Sequence, residues 1–274
     1  MTITAGGQPP APSVQVVGNI AWVDAVYPKS RHRFVGGAGV HFAQAAAKRG
    51  AAVDLVAVAG ADLEWALQRL TAEGVSCEHV ATHDGPSAHF ELSYDERGSV
   101  ERVIANHGVA ERLTAHAAAQ PATSHRHICC RTPLDATTVL AQTTSDFSLD
   151  FFVSSASDQV AAAARFLPLA TAIFVNAVEL PLLRRTIGLG ELACVVATAG
   201  EDESNVYRNG TVTATTKPGA VAPVDVTGAG DTLAGCFVAA ILLGDADQSA
   251  LDAASAAATK SVLRVGGIEF GTPR

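Results

Sequence analysis

Short apolar runs recur along the chain, bounded by turn residues and separated by segments with helical spacing. Val14 to Val17, Val53 to Val58, His127 to Cys130, Phe147 to Phe151, Ala172 to Val175 and Leu192 to Ala197 read as strands, and mainly apolar runs of this length suit a parallel sheet. Helical patterns fall between them: Val40 to Arg49 closed by Gly50, Leu63 towards Glu73 with Asp62 as cap and Gly74 as stop, a short helix capped by Asp135, and Ala156 to Phe166. Thr232 to Leu243 and Gln248 to Arg264 follow as two long helices. The alternation predicts an α/β domain, and no linker or repeat divides it. Two stretches break the rhythm. The residues from Ala88 to Tyr94 and from Val100 to Ile104 alternate around a turn at Asp95 to Gly98, which predicts a hairpin flap over a site. Ser204 to Tyr207 and Thr211 to Ala214 predict a second hairpin, through a type I′ turn at Asn209-Gly210.

Candidate chemistry collects at the turns. Asp225-Val226-Thr227-Gly228-Ala229-Gly230-Asp231 opens the first of the long helices. A glycine-rich turn in that position directs free N–H groups and the positive end of the helix dipole at one point, so it can hold an anion. Asp231 is then either a favourable cap or a general base beside a site where negative charge develops. Gly36-Gly37-Ala38-Gly39 precedes the helix that carries His41 and lets a ligand approach the backbone. It is followed by Val40, His41 and Phe42, so it is not GxGxxG and a dinucleotide reading fails. His41 either donates to a ligand above it or is a partly buried histidine. Asp24 is placed to accept hydrogen bonds from substrate hydroxyls or is a solvated loop residue, and Arg131 at the end of its strand meets either a substrate or water. Asn176 and Glu179 share one side of a helix start, as ligands of a hydrated Mg²⁺ or as a capping box. Thr198-Ala199-Gly200 is a turn able to approach a nucleotide. His125, His127 and Cys129 repeat at period two, which is ordinary sheet patterning.

Composition narrows the partners. The formal net charge is −8 with no lysine/arginine block, which argues against nucleic acid and anionic membranes, so a phosphorylated ligand needs locally placed donors. Hydrophobic residues are 48 % and charged residues 17 %, as in an ordered globular protein. The five cysteines are an odd number without CxxC spacing, consistent with reduced thiols in a cytoplasm. Met1 to Ser13 reads as a loose tail, neither signal nor anchor, and Leu233 to Leu243 is shorter than the roughly 20 residues of a membrane span.

The glycine motifs at Gly36 to Gly50 and at Asp225 to Asp231, in that order, resemble those of the ribokinase-like (PfkB) carbohydrate kinases. Asn176 to Glu179 is similar to that family's NxxE motif and Thr198-Ala199-Gly200 to its nucleotide loop; the resemblance extends from Val14 to Pro273. It implies a three-layer α/β fold over 14–274, with a mainly parallel sheet and a small β lid, here from about residues 25–35 and 88–105 and shortened between Asp24 and Gly36. It implies transfer of a phosphoryl group from ATP to a hydroxyl of a sugar or cyclitol, with a nucleoside as the alternative acceptor; an inactive nucleotide- or metabolite-binding protein is the reading from another class. In the active reading Asp231 takes the hydroxyl proton and Gly228, Ala229 and Gly230 form the anion hole. Asn176 and Glu179 act on Mg²⁺ through water, Thr198, Gly200 and Ser255 meet the nucleotide, and Asp24, Gly36, Gly37, His41 and Arg131 meet the acceptor. Four departures bear on substrate and ions. His41 stands where an asparagine is common, Gly18 to Asp24 is one residue longer than usual, Phe152 replaces an asparagine, and Phe270 lies near a polar position tied to monovalent cations, which argues against potassium activation. Flaps of this family often pair subunits, so a homodimer is left open.

Overall fold

Runs such as Val53 to Val58 are apolar on both faces apart from Asp54 near one end, so the strand they form must be covered on both sides. Along Ala52–Gly60, Val53, Leu55, Ala57 and Ala59 pack into one apolar cluster, while Val56 and Val58 pack into another on the opposite face. The computed structural model describes residues 11–122, 125–266 and 268–269. Most of the expected N-terminal tail, Gly267, Phe270 and Pro273 lie outside these residues, and Ser13 already opens the first strand. The central sheet runs in the order Thr211–Thr216, Ser204–Arg208, Val195–Thr198, Ala172–Asn176, Phe147–Phe151, His125–Cys130, Ser13–Val17, Ala52–Gly60 and Val75–Ser76, with Val80–His83 also beside Ala52–Gly60. Pairing is parallel except at Ser204–Arg208, which runs antiparallel both to Val195–Thr198 and to its hairpin partner Thr211–Thr216; in that hairpin Asn209 and Gly210 both have positive φ, as a type I′ turn requires. Ala38–Arg49, Glu64–Ala72, Ala229–Leu242 and Asp247–Ser261 cover one face; Leu113–Ala119, Ala136–Gln142, Ala156–Ala163 and Glu179–Thr186 cover the other. The sequence-predicted α/β architecture is therefore observed as three layers.

Three local expectations change. The helix expected from Leu63 begins with a 3₁₀ turn over Ala61–Leu63, and Asp62 caps nothing. Its carboxylate instead accepts from Trp22 Nε1 at 2.8 Å and from the Ser87 hydroxyl at 2.7 Å, tying the central sheet to the lid. The strand expected from Leu192 starts at Val195, because Leu189–Glu191 form a 3₁₀ turn. Phe166 lies in a 3₁₀ turn, Ala164–Leu169, which contains Pro168 and ends the helix of Ala156–Ala163.

A second sheet forms the lid: Ala21–Tyr27 and Ser30–Gly36 pair antiparallel, Ala88–Tyr94 adds parallel to the first, and Val100–Asn106 and Ile268–Glu269 take the two edges. Its first hairpin starts at Ala21, earlier than the sequence suggested, and what is short is the connection, Pro28 and Lys29 alone. The inward row Ala21, Val23 and Ala25 is apolar, while Asp24, on the alternate row, faces the other side.

The chain order in the central sheet reverses at Ser13–Val17, which lies between Ala52–Gly60 and His125–Cys130. At such a switch point the crevice beyond the C-terminal strand ends is open to a ligand. Two helices begin there side by side, Ala38–Arg49 and Ala229–Leu242, and Gly235 makes their approach possible: a Cβ on it would overlap the Phe42 carbonyl group. Gly235→Ala is expected to cost about 1–3 kcal/mol, as overpacking does, read as a lower urea midpoint. An unchanged midpoint means that the two helices are not in this contact.

Candidate active site

The crevice is a cavity of about 650 Å³ between the strand ends and the lid. The Ala229–Leu242 helix aims its N-terminus into it through Gly228, whose φ of 75° is the left-handed conformation that glycine adopts without strain. A second constraint acts on the same residue, because a Cβ at Gly228 would overlap the His41 ring. His41 therefore lies beneath the turn, 6 % exposed, with burial lowering its pKa to about 4, so it packs there as a neutral ring. Its Nε2 is buried without a hydrogen bond. Gly36 makes room for that nitrogen but does not line the cavity, whereas Gly37, with φ of 104°, does.

Asp231 occupies the first turn of the helix, its side chain 12 % exposed, and lines the cavity floor. Arg131, at the end of His125–Cys130, donates from Nη2 to Asp231 Oδ1 at 3.1 Å and to Asp150 Oδ2 at 2.6 Å. Burial, reinforced by the negative charge of Asp150, pushes the Asp231 pKa up to about 7 against the pull of Arg131. For Asp150 the balance is reversed: burial opposes ionisation, but Arg131 and His127 outweigh it and hold the carboxyl below the usual range. One guanidinium thus keeps one of two neighbouring carboxylates firmly charged and leaves the other poised near neutrality. His127, Cys129 and Asp150 do converge, their ligand atoms within 4.8 Å of one another. The Arg131 cation already on Asp150 opposes a metal ion there.

Asn176 and Glu179 form the capping box: Asn176 Oδ1 accepts from the Glu179 N–H at 3.0 Å, and Glu179 Oε2 accepts from the Asn176 N–H at 2.9 Å. That accounts for one carboxylate oxygen. Glu179 Oε1 is buried without a hydrogen bond in a residue that lines the cavity, and burial raises the Glu179 pKa to about 7. A carboxylate oxygen facing a phosphate-sized space suits a hydrated Mg²⁺, which takes one or two carboxylates and keeps several waters. Thr198, ending Val195–Thr198, and Gly200 line the same cavity, together with Ala258. Ser255, one turn earlier on that helix, lies instead in an adjoining depression with Thr216, Lys217, Gly219 and Lys260.

Asp24 does not meet the cavity. Its carboxylate is 1 % exposed on the outer row of the lid, where Arg33 at 2.6 Å, Arg31 at 3.1 Å and His89 at 2.9 Å hold it. These partners, Arg33 foremost, keep it well below the usual carboxylate range. The cause is strand parity: Val23 lines the cavity, so Asp24, the next residue along the strand, points to the other face. Sequence reasoning also missed Asn19, whose Oδ1 is buried without a hydrogen bond at the cavity wall, and the role of Asp150. Asn19 follows a glycine at the end of the switch-point strand, which was the available signal.

The model of the pfkB family carbohydrate kinases matches residues 14–273. No curated protein sequence matches the chain. Among solved structures, a nucleoside kinase from Burkholderia thailandensis in complex with inosine superposes with a TM-score of 0.78 at 20 % identity, over 93 % of this chain and 92 % of that one. A ribokinase from Cryptococcus neoformans in complex with ADP gives a TM-score of 0.75 at 18 % identity, over 94 % and 95 % of the two chains. A putative ribokinase II from E. coli in complex with ATP and Mg²⁺ gives 0.74 at 18 % identity, over 93 % and 94 %. At these identities the structures attest the fold, and the family model attests descent: the chain belongs to the pfkB family of carbohydrate kinases.

Proposed function

We propose that this kinase moves the γ-phosphoryl group of ATP to a hydroxyl of a small acceptor, with Asp231 as the general base. One observation carries the reading: a carboxylate with a pKa near 7 stands in the first turn of a helix whose free N-terminus opens into the same cavity. Its proton affinity suits a base working near neutral pH. The acceptor hydroxyl loses its proton to Asp231 as its oxygen bonds to phosphorus, the bond to the bridging oxygen of ADP breaks, and the N–H groups of Gly228, Ala229 and Gly230 stabilise the charge on the transferring group. Arg131 keeps Asp231 oriented. Glu179 and Asn176 would hold Mg²⁺ through water, and the ion would neutralise phosphate charge. Thr198 and Gly200 would meet the nucleotide, with its base towards Ser255. Among the described residues no helix is long and apolar enough to cross a membrane, and all five cysteines are free, which supports a cytoplasmic setting.

The acceptor side favours a second choice within this class. Val23, Phe90, Leu92, Val100, Val103 and Phe152 make an apolar wall under the lid. A free sugar or cyclitol against it would lose hydrogen bonds to water, whereas a nucleoside would bury its base. At equal Mg·ATP, nucleosides are expected to show kcat/KM about tenfold or more above free pentoses and inositols; the reverse order restores the polyol acceptor. Asp231→Asn should leave ATP binding nearly intact and lower kcat by about 10²-fold or more. Equal kcat removes Asp231 from the chemistry.

The pH profile reads the carboxylate pair. Asp231 must be ionised to act, so kcat/KM should fall as pH drops through about 7. Asp150→Asn removes the negative charge that raises the Asp231 pKa and leaves Arg131 wholly to Asp231, so the acid limb should move to lower pH. A limb that stays in place means another group sets it.

A further inference from the structure

Three residues lead into the anion turn, Asp225, Val226 and Thr227, and all three are held by the lid. Tyr27 Oη, at the end of Ala21–Tyr27, donates to Asp225 Oδ1 at 2.7 Å and accepts from the Val226 N–H at 2.8 Å. Tyr94 Oη, at the end of Ala88–Tyr94, pairs with Thr227 Oγ1 at 2.8 Å. The two rings stack, with centroids 4.7 Å apart and planes 10° from parallel. Asp225 is 1 % exposed and also accepts the N–H groups of Thr227 and Gly266, each at 2.9 Å. The tip of the second lid hairpin closes against the same turn, since a Cβ on Gly98 would stand 3.2 Å from Val226. On its far side the turn rests on His41.

The lid therefore does more than wall the acceptor space. We infer that Tyr27 and Tyr94 are positioning residues, a latch through which the seating of the lid sets the path of Asp225 to Thr227 and so the direction of the N–H groups of Gly228 to Gly230. Tyr27 does not line the cavity, and the Tyr94 hydroxyl, which borders it, is taken up by Thr227. Their hydroxyls fix the three residues before Gly228, and a partly buried Val226 N–H that lost its acceptor would turn to find another. Burial raises both phenol pKa values above the ordinary range, so both stay protonated through neutral pH. The coupling has a chemical consequence: the N–H groups take up their working geometry when the lid is seated, which is when the acceptor is enclosed and water excluded.

Phenylalanine substitutions separate the hydroxyls from the stacked rings. In Tyr27→Phe, and more so in Tyr27→Phe/Tyr94→Phe, backbone amide exchange at residues 226–230 should accelerate about tenfold or more, in line with the loss of hydrogen bonds at a buried carboxylate. The strands of the central sheet should keep their protection. Unchanged exchange at 226–230 in the double variant overturns the latch, as does a general rise in exchange that includes Ala172–Asn176, since that reports ordinary destabilisation. Kinetics add an independent arm, which rests on the kinase reading. Tyr27→Phe should lower kcat about tenfold with KM for ATP changed less than about threefold, because the hole acts in the transition state; a rise in KM alone counts against the latch. Faster exchange at 226–230 in a protein that phosphorylates no acceptor, with or without the substitution, sinks the kinase reading and leaves the latch standing.

Discussion

The sharing of one guanidinium between two buried carboxylates is the constraint on which the rest of the site depends. Asp150 and Asp231 lie on different elements, a strand end and a helix start, and Arg131 comes from a third. Two carboxylates this close and this buried repel, and an interaction of unit charges at 4 Å is worth about 4 kcal/mol at an effective dielectric constant of 20. Without the cation one of them would take a proton or the elements would part. With it, the sheet and the helix are pinned at the switch point, 2.6 Å from Asp150 and 3.1 Å from Asp231, while burial raises the Asp231 pKa and Arg131 with His127 lowers that of Asp150. Structure and acid–base chemistry are set by the same three side chains.

Around this cluster the backbone is shaped by close approach. His41 fills the space below Gly228, and Gly36 gives room to its ring nitrogen, so one neutral imidazole is the shared floor of both glycine motifs. This explains why the two motifs meet although they are far apart in the chain. The helices that follow them pack through Gly235 and Phe42, and the phenols of the lid hold the anion turn from above. The turn is thus fixed from below, from behind and from the lid side, as an anion hole must be if it is to act without reorganising.

The parallel strands and most helices were legible in the sequence because each carries its own period and punctuation: Gly50 at φ 106° and Asp135 accepting from the N–H groups of Thr137 and Thr138 are local events. Asp231, Gly228 and Glu179 were legible for the same reason, since a helix start is written in consecutive residues. Arg131 was legible only as a candidate, because its partners lie 19 and 100 positions away. Asp62 was misread as a cap because Trp22 and Ser87, which claim its carboxylate, come from distant segments. Asn19 carries only the weak signal of a glycine before it at a strand end, and the two tyrosines carry none; their roles arise from what the lid is folded against.

Asp24 shows how a single position can redirect a site. A strand side chain that faces a ligand is flanked by neighbours that face away. The carboxylate then meets Arg31, Arg33 and His89 on the outer row, a pairing that lowers its charge cost there, and Val23 takes the inward place. The lid meets the turn before Asp231 through the tyrosine contacts, through Gly98 against Val226, and through an apolar cluster that includes Val226 and Phe152. Tyr27 lies on the same row as Val23, so the register that turns Val23 to the cavity also brings the Tyr27 phenol to Asp225 and Val226.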